Sequence, residues 1–104
     1  MADRGRRIRL DLNSPEFLDV FLSLEMAELK QVVAALRRLR ELDWDSLYRH
    51  PGFRWEAIQY LPAPGAAKAH SLRLGQKMRA IAFREGDFLC FVSLHPDHDS
   101  AYKR

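Results

Sequence analysis

The sequence predicts an α+β fold, a helical hairpin packed on one face of a mainly antiparallel four-stranded sheet in the order β-α-α-β-β-β. Three observations carry this. Residues 7–12 alternate charged and aliphatic side chains, Ser14 and Pro15 open a long amphipathic stretch, and the last third divides into three strand-like runs. The 104 residues fit one domain, 1–104, long enough for a small core.

In residues 7–12, Ile8, Leu10 and Leu12 share one face of a half-buried strand. Ser14 offers an N-cap hydroxyl, and Pro15 suits a first helical position where no amide donor is missed. Phe17, Val20, Phe21 and Leu24 then form one apolar stripe, and Leu29, Val32, Val33, Leu36 and Leu39 form another. A single helix over 15–42 would run about 40 Å at ~1.5 Å per residue, longer than a small domain is wide. A break is therefore expected within 22–25, with Ser23 able to cap the second helix. Residues 43–50 suit one more helical turn anchored by Trp44, Leu47 and Tyr48 and stopped by Pro51 and Gly52. Residues 54–61 read as a short strand or extended segment, and 62–69, rich in Pro, Gly and Ala, as an exposed loop.

From 71 to 102 the turns Gly75-Gln76-Lys77 and Glu85-Gly86-Asp87 separate runs of β-branched, aromatic and aliphatic residues, the pattern of a meander with a polar tail. Three-residue loops would pair Arg73 with Arg79, Leu74 with Met78, Arg79 with Ser93 and Ala80 with Val92. One face would then hold Leu72, Leu74, Met78, Ala80, Ala82, Cys90, Val92 and Leu94 against the helices. The other would hold Arg73, Arg79 and Ser93 beside Ile81, Phe83 and Phe91. Like charges opposite each other on a ladder repel, so this arrangement makes sense if an anion sits between the two arginines.

The formal charge is +3, but its distribution says more than its sum. No Asp or Glu occurs between Ala57 and Arg84, while Lys68, Arg73, Lys77, Arg79 and Arg84 all do, so this stretch holds an uncancelled positive potential. No apolar run approaches a membrane span, and the basic N-terminus lacks the apolar core of a secretory signal, which predicts no membrane partner and a cytoplasmic location. Cys90 is the one cysteine, which leaves no intrachain disulfide or cysteine zinc site. His95, Asp97, His98 and Asp99 have metal-ligand composition, but Pro96 and the tight spacing oppose convergence, so no metal and no cofactor are expected.

The element order resembles the RelE/ParE superfamily of type II toxin–antitoxin toxins. The residues that carry the resemblance are Ser14-Pro15, the run from Leu72 to Gly75, Arg79-Ala80-Ile81, the Gly86-Asp87 hairpin and the tail from His98 to Tyr102. Members similar to RelE and YoeB cut mRNA, commonly on the ribosome, and ParE members poison DNA gyrase. The resemblance implies that Arg73 and Arg79 contact phosphate, that His98 and Tyr102 take part in proton transfer, and that Glu56 matches an upstream acid used as a base in some members. It also implies a cognate antitoxin, acidic where it docks. The sequence departs from the RelE pattern in having an arginine where one of the paired lysines would stand, and in its His-Pro-Asp-His tail. That leaves the identity of the base open.

Cleavage of RNA by its own 2′-hydroxyl needs a proton acceptor, a proton donor and fixed positive charge for the phosphorane. Arg73 and Arg79 suit the last role, as planar donors that match phosphate and keep their charge. His98 is a proton shuttle near neutral pH. Tyr102 needs arginine neighbours to titrate, or acts by stacking on a base. Lys68, Lys77, Arg84 and His95 are the candidate RNA-binding residues around them. The alternative to an mRNA endoribonuclease is a non-enzymatic, ParE-like gyrase inhibitor or an inactive binding module of the same fold.

Overall fold

The computed structural model describes residues 5–62 and 68–96, with the backbone alone for 59–62. The elements run β1 (Arg9–Asp11), α1 (Pro15–Phe21), α2 (Met26–Leu39), α3 (Trp44–Arg49), β2 (Glu56–Pro62), β3 (Lys68–Gly75), β4 (Met78–Glu85) and β5 (Phe88–Pro96). The sheet order is β1-β5-β4-β3-β2, with β1 parallel to β5 and the remaining pairs antiparallel. Five strands stand where four were expected, because the extended segment after α3 pairs with β3 as an edge strand, Glu56 opposite Ser71 and Ala57 opposite His70. Pro62, Lys68 and Ala69, expected in the loop, belong to these two strands.

The helical hairpin forms for the predicted reasons, with one exception. The Ser14 hydroxyl accepts the Phe17 amide at 3.2 Å and so caps α1, with Pro15 at the first helical position. The chain breaks between Phe21 and Met26, within the predicted window. Ser23 does not cap α2: its hydroxyl donates to the Asp19 carbonyl at 2.6 Å, and the cap position falls to Glu25, which makes no side-chain cap bond. The turn predicted over 43–50 is α3, capped by Asp43, which accepts the Ser46 amide at 2.8 Å.

The helices bury their apolar stripes on one face of the sheet. Phe17, Val32, Ala35, Leu36, Leu39, Trp44 and Leu47 join Leu72, Leu74, Met78, Ala80, Ala82, Leu89, Phe91 and Leu94 in one core cluster. Val33, expected on the buried stripe, is exposed, and Ala35 takes its place. The α2 helix crosses so close to the end of β3 that a Cβ on Gly75 would lie 2.7 Å from the Gln31 amide oxygen.

Both meander turns are two-residue loops, Gln76-Lys77 and Gly86-Asp87. Gly75 rather than Leu74 therefore faces Met78, and a register shift just before it returns Arg73 to its place opposite Arg79. Gly86 adopts φ +64°, a conformation that glycine takes at no steric cost. The β4–β5 pairing runs from Glu85 opposite Phe88 to Ala82 opposite Phe91, then skips Val92, so that Ile81 faces Ser93 and Ala80 faces Leu94. Val92 is the extra residue of a β-bulge, and its carbonyl is taken by the Ser14 hydroxyl at 2.7 Å. The turn and the bulge together correct two expectations. The two-residue turn moves β5 by one, so that Leu89 and Phe91, rather than Cys90 and Val92, reach the core, and the bulge adds a second step that leaves Ser93 two residues away from a pairing with Arg79.

Candidate functional site

Arg73 and Arg79 lie directly opposite each other on β3 and β4, the expected partners, brought there by the register shift before Gly75 rather than by a three-residue loop. Their strand neighbours Leu72, Leu74, Met78 and Ala80 are buried against the helices, so the two guanidinium groups leave the uncovered face of the sheet. Neither forms an ion pair with any described residue.

A cleft of about 80 Å³ opens beside them, lined by Arg54, Glu56, Ser71, Leu72, Arg73 and Arg79. Glu56 reaches it from the edge strand β2, next to Ser71. Arg54 reaches it through an unusual backbone: its φ is +52°, in the left-handed region that costs a non-glycine residue roughly 1–2 kcal/mol. The contacts of the preceding residue hold that conformation. The Phe53 carbonyl accepts the Arg73 amide at 2.7 Å, and the Phe53 ring is buried with the His50 ring 4.7 Å away. Arg54 Nη2 then stands 3.8 Å from Glu56 Oε2, a loose pair with both side chains more than half exposed. Screening makes such a pair worth little to stability. Three guanidinium groups and one carboxylate thus share one small opening, a balance that favours an anionic ligand.

His95 extends this row, because the two-residue turn and the bulge together place it opposite Arg79 in the position expected for Ser93. Its Nε2 lies 2.8 Å from the Ser93 hydroxyl, which fixes the ring at the exposed end of β5. Lys77 is exposed in the loop between β3 and β4, two residues from Arg79. Lys68 is exposed at the start of β3, at the other end of that strand. Arg84 projects on the opposite, helix-covered side: it stacks over Trp44 at 4.6 Å and donates to the Gly86 carbonyl and the Tyr48 hydroxyl, each at 2.7 Å. His98 and Tyr102 lie outside the described residues.

Sequence reading missed Arg54 and Ser71. A basic residue two positions before Glu56, just after the Pro51-Gly52 turn, was the available signal for Arg54; nothing in residue type announces its left-handed backbone. Among the described residues no group of three or more His, Cys, Asp or Glu side chains converges on a metal position. Burial pushes the Cys90 thiol up to about 11, helped by Asp11 and Glu85, so it stays protonated and unreactive near neutral pH.

No family model matches the sequence, and no curated protein matches it. Two solved structures are similar. A chain of the archaeal RelE–RelB complex from Pyrococcus horikoshii OT3 superposes with a TM-score of 0.61 and 17% identity, over 88% of this chain and 97% of that one. A copper-bound mutant toxin from Helicobacter pylori gives a TM-score of 0.48 and 17% identity, over 91% and 99%. Identity this low speaks to the fold alone, and together with the α+β order and sheet described above it establishes that this chain has a RelE-like fold.

Proposed function

We propose that this single-domain chain is the toxin of a type II toxin–antitoxin pair, a metal-independent endoribonuclease that cuts mRNA on the ribosome. The observation that carries the reading is the Arg73–Arg79 pair, unneutralised, opening onto a cleft that also holds Glu56. The RelE-like fold supports the same conclusion.

In this mechanism Arg73 and Arg79 hold the scissile phosphate and stabilise the added charge of the phosphorane, where preorganised donors count most. The Glu56 carboxylate, which lines the same cleft, takes the proton of the 2′-hydroxyl. The 2′-oxygen attacks phosphorus, the bond to the 5′-oxygen breaks, and His98 protonates the departing oxygen. A 2′,3′-cyclic phosphate and a 5′-hydroxyl result. Tyr102 stacks on a neighbouring base, while Lys68, Lys77 and His95 hold the strand. The partner that silences the chain is an antitoxin with an acidic segment laid over Arg73 and Arg79.

The test is to incubate the purified chain with a defined RNA in EDTA, with and without ribosomes, and to identify the new ends. Cyclic phosphate ends that fall at least about 100-fold in Arg73→Ala and Arg79→Ala support the mechanism. Intact RNA under both conditions, with growth arrest and double-stranded DNA breaks on expression, would replace it with gyrase poisoning.

A further inference from the structure

A second cationic cleft lies at the opposite edge of the sheet. It encloses about 290 Å³ and is lined by Arg7, Ile8, Arg9, Leu10, Arg40 and Phe88. Two backbone bonds build it. The Ile8 amide donates to the Leu42 carbonyl at 2.9 Å, which ties the start of β1 to the end of α2 and brings Arg9 near Arg40. The Arg9 amide donates to the Asp87 carbonyl at 2.9 Å, which sets the Arg9 guanidinium over the Phe88 ring, 4.8 Å from its centroid.

No acid lines this cleft. Glu41 pairs with Arg7 at 3.3 Å and Asp87 with Arg6, while Glu85, opposite Phe88, and Asp11, two residues along β1 from Arg9, lie at its margin on the same face. Arg9 and Arg40 form no ion pair with any described residue. Phe88 is 38% exposed although it is a large apolar side chain.

We propose that Arg9, Arg40 and Phe88 form a second docking site for single-stranded RNA, which holds the strand beyond the Arg73–Arg79 cleft. The strand's course rests on the ribonuclease reading above. Phe88 and Arg9 are paired neighbours on the same uncovered face as Arg79, since Phe88 faces Glu85 and Arg79 is six residues back along β4. That separation is about 20 Å at ~3.4 Å per residue. Between the two ends lies a cleft of about 260 Å³ whose walls combine the apolar Phe83, Cys90 and Val92 with Asn13, Ser14 and the Asp11 carboxylate, so that a strand would rest bases there and keep its phosphates for the two cationic ends. An exposed ring under a guanidinium, beside a second free guanidinium, offers the stacking and the phosphate pairing by which single strands are held. An acidic peptide would use the charge but not the ring.

The experiment measures binding of labelled 2′-O-methyl RNA, which the chain cannot cleave, in lengths of about 4 and about 12 nucleotides, the span of such binding sites. Fluorescence anisotropy is read across a salt series. In the Arg9→Gln, Arg40→Gln double variant, Kd for the long strand should rise about tenfold. The slope of log Kd against log salt should fall by about 1.4, at ~0.7 for each phosphate no longer neutralised. The short strand should bind as before, and the Arg9→Lys, Arg40→Lys variant should restore most of the slope; a melting curve confirms that both fold. An unchanged long-strand Kd and slope would overturn the site. So would a poly-glutamate peptide that binds more tightly than the 12-mer and alone feels the substitutions. If the wild-type chain cleaves no RNA and the tenfold loss is still seen, the docking site stands and the ribonuclease reading falls.

Discussion

Arg79 and Arg84 leave the same strand five residues apart and meet opposite surroundings. The Arg84 guanidinium lies over Trp44 and donates to a carbonyl and a phenol, so its charge and its donors are used within the fold. Arg79 faces Arg73 across the ladder, is exposed, and has no carboxylate partner among the described residues. In the sequence they are two arginines of one basic stretch. Their surroundings separate a residue whose charge is used within the fold from one held opposite a like charge, an arrangement that costs the fold stability unless something offsets it.

The largest effect expected is on chemistry alone. Arg73→Ala or Arg79→Ala should lower RNA cleavage by about 100- to 1,000-fold, as the loss of one preorganised donor does. The melting temperature should hold or rise slightly, because a repulsion has been removed. A variant that melts early would make this arginine structural and erase the contrast.

Arg84→Ala should do the reverse. Losing the stack on Trp44 and two hydrogen bonds should cost about 2 kcal/mol and lower the melting temperature by about 10 °C. Cleavage per folded molecule should stay within about threefold. A large loss of RNA affinity at an unchanged melting temperature would place Arg84 among the RNA-binding residues instead.

Ser14→Ala sharpens the comparison from further away. It removes the α1 cap and leaves the Val92 carbonyl unpaired at the bulge that sets His95 opposite Arg79. About 1–2 kcal/mol of stability should be lost in denaturant melts. An effect below about 0.3 kcal/mol would mean that the bulge does not depend on this bond.

The smallest effect is on pH dependence. His70 stacks on Trp55 at 4.2 Å, Trp55 meets Trp44 edge-on, and burial pushes the His70 imidazole below its ordinary value near 6.5. The folded state therefore favours the neutral ring. The stability this residue contributes is present above pH 6.5 and is lost as pH falls through the depressed folded value. Melts from pH 7.5 to 5 should show a falling limb that His70→Phe, which keeps a ring on Trp55, flattens. An identical limb in that variant would assign it to another group.

Some of this was legible in the sequence, and the reasons for the rest are physical. The α1 cap and the break before α2 follow from local chemistry: a serine before a proline and a helix too long for its domain. The Arg73–Arg79 pairing was expected from a three-residue loop that does not form, and a two-residue loop with a register shift before Gly75 gives the same partners. The bulge at Val92 was not legible, because the run from Leu89 to Val92 is apolar throughout and carries no phase to betray an extra residue. The two-residue turn had already moved β5 by one and sent Phe91 into the core, and the inserted residue moved it once more, which exchanged Ser93 for His95 beside Arg79. Arg54 was hidden because its place in the cleft depends on a left-handed backbone imposed by tertiary packing around Phe53.

The central claim is that the unpaired guanidinium groups of Arg73 and Arg79 exist to hold a phosphate that is being cleaved. Induced expression followed by primer extension along cellular mRNAs tests it most directly. Discrete new 5′ ends within coding regions, appearing with the wild-type chain and absent with Arg79→Ala at equal protein level, are the predicted result. Growth arrest by the wild-type chain with full-length mRNA, or cleavage that persists in Arg79→Ala, would contradict it.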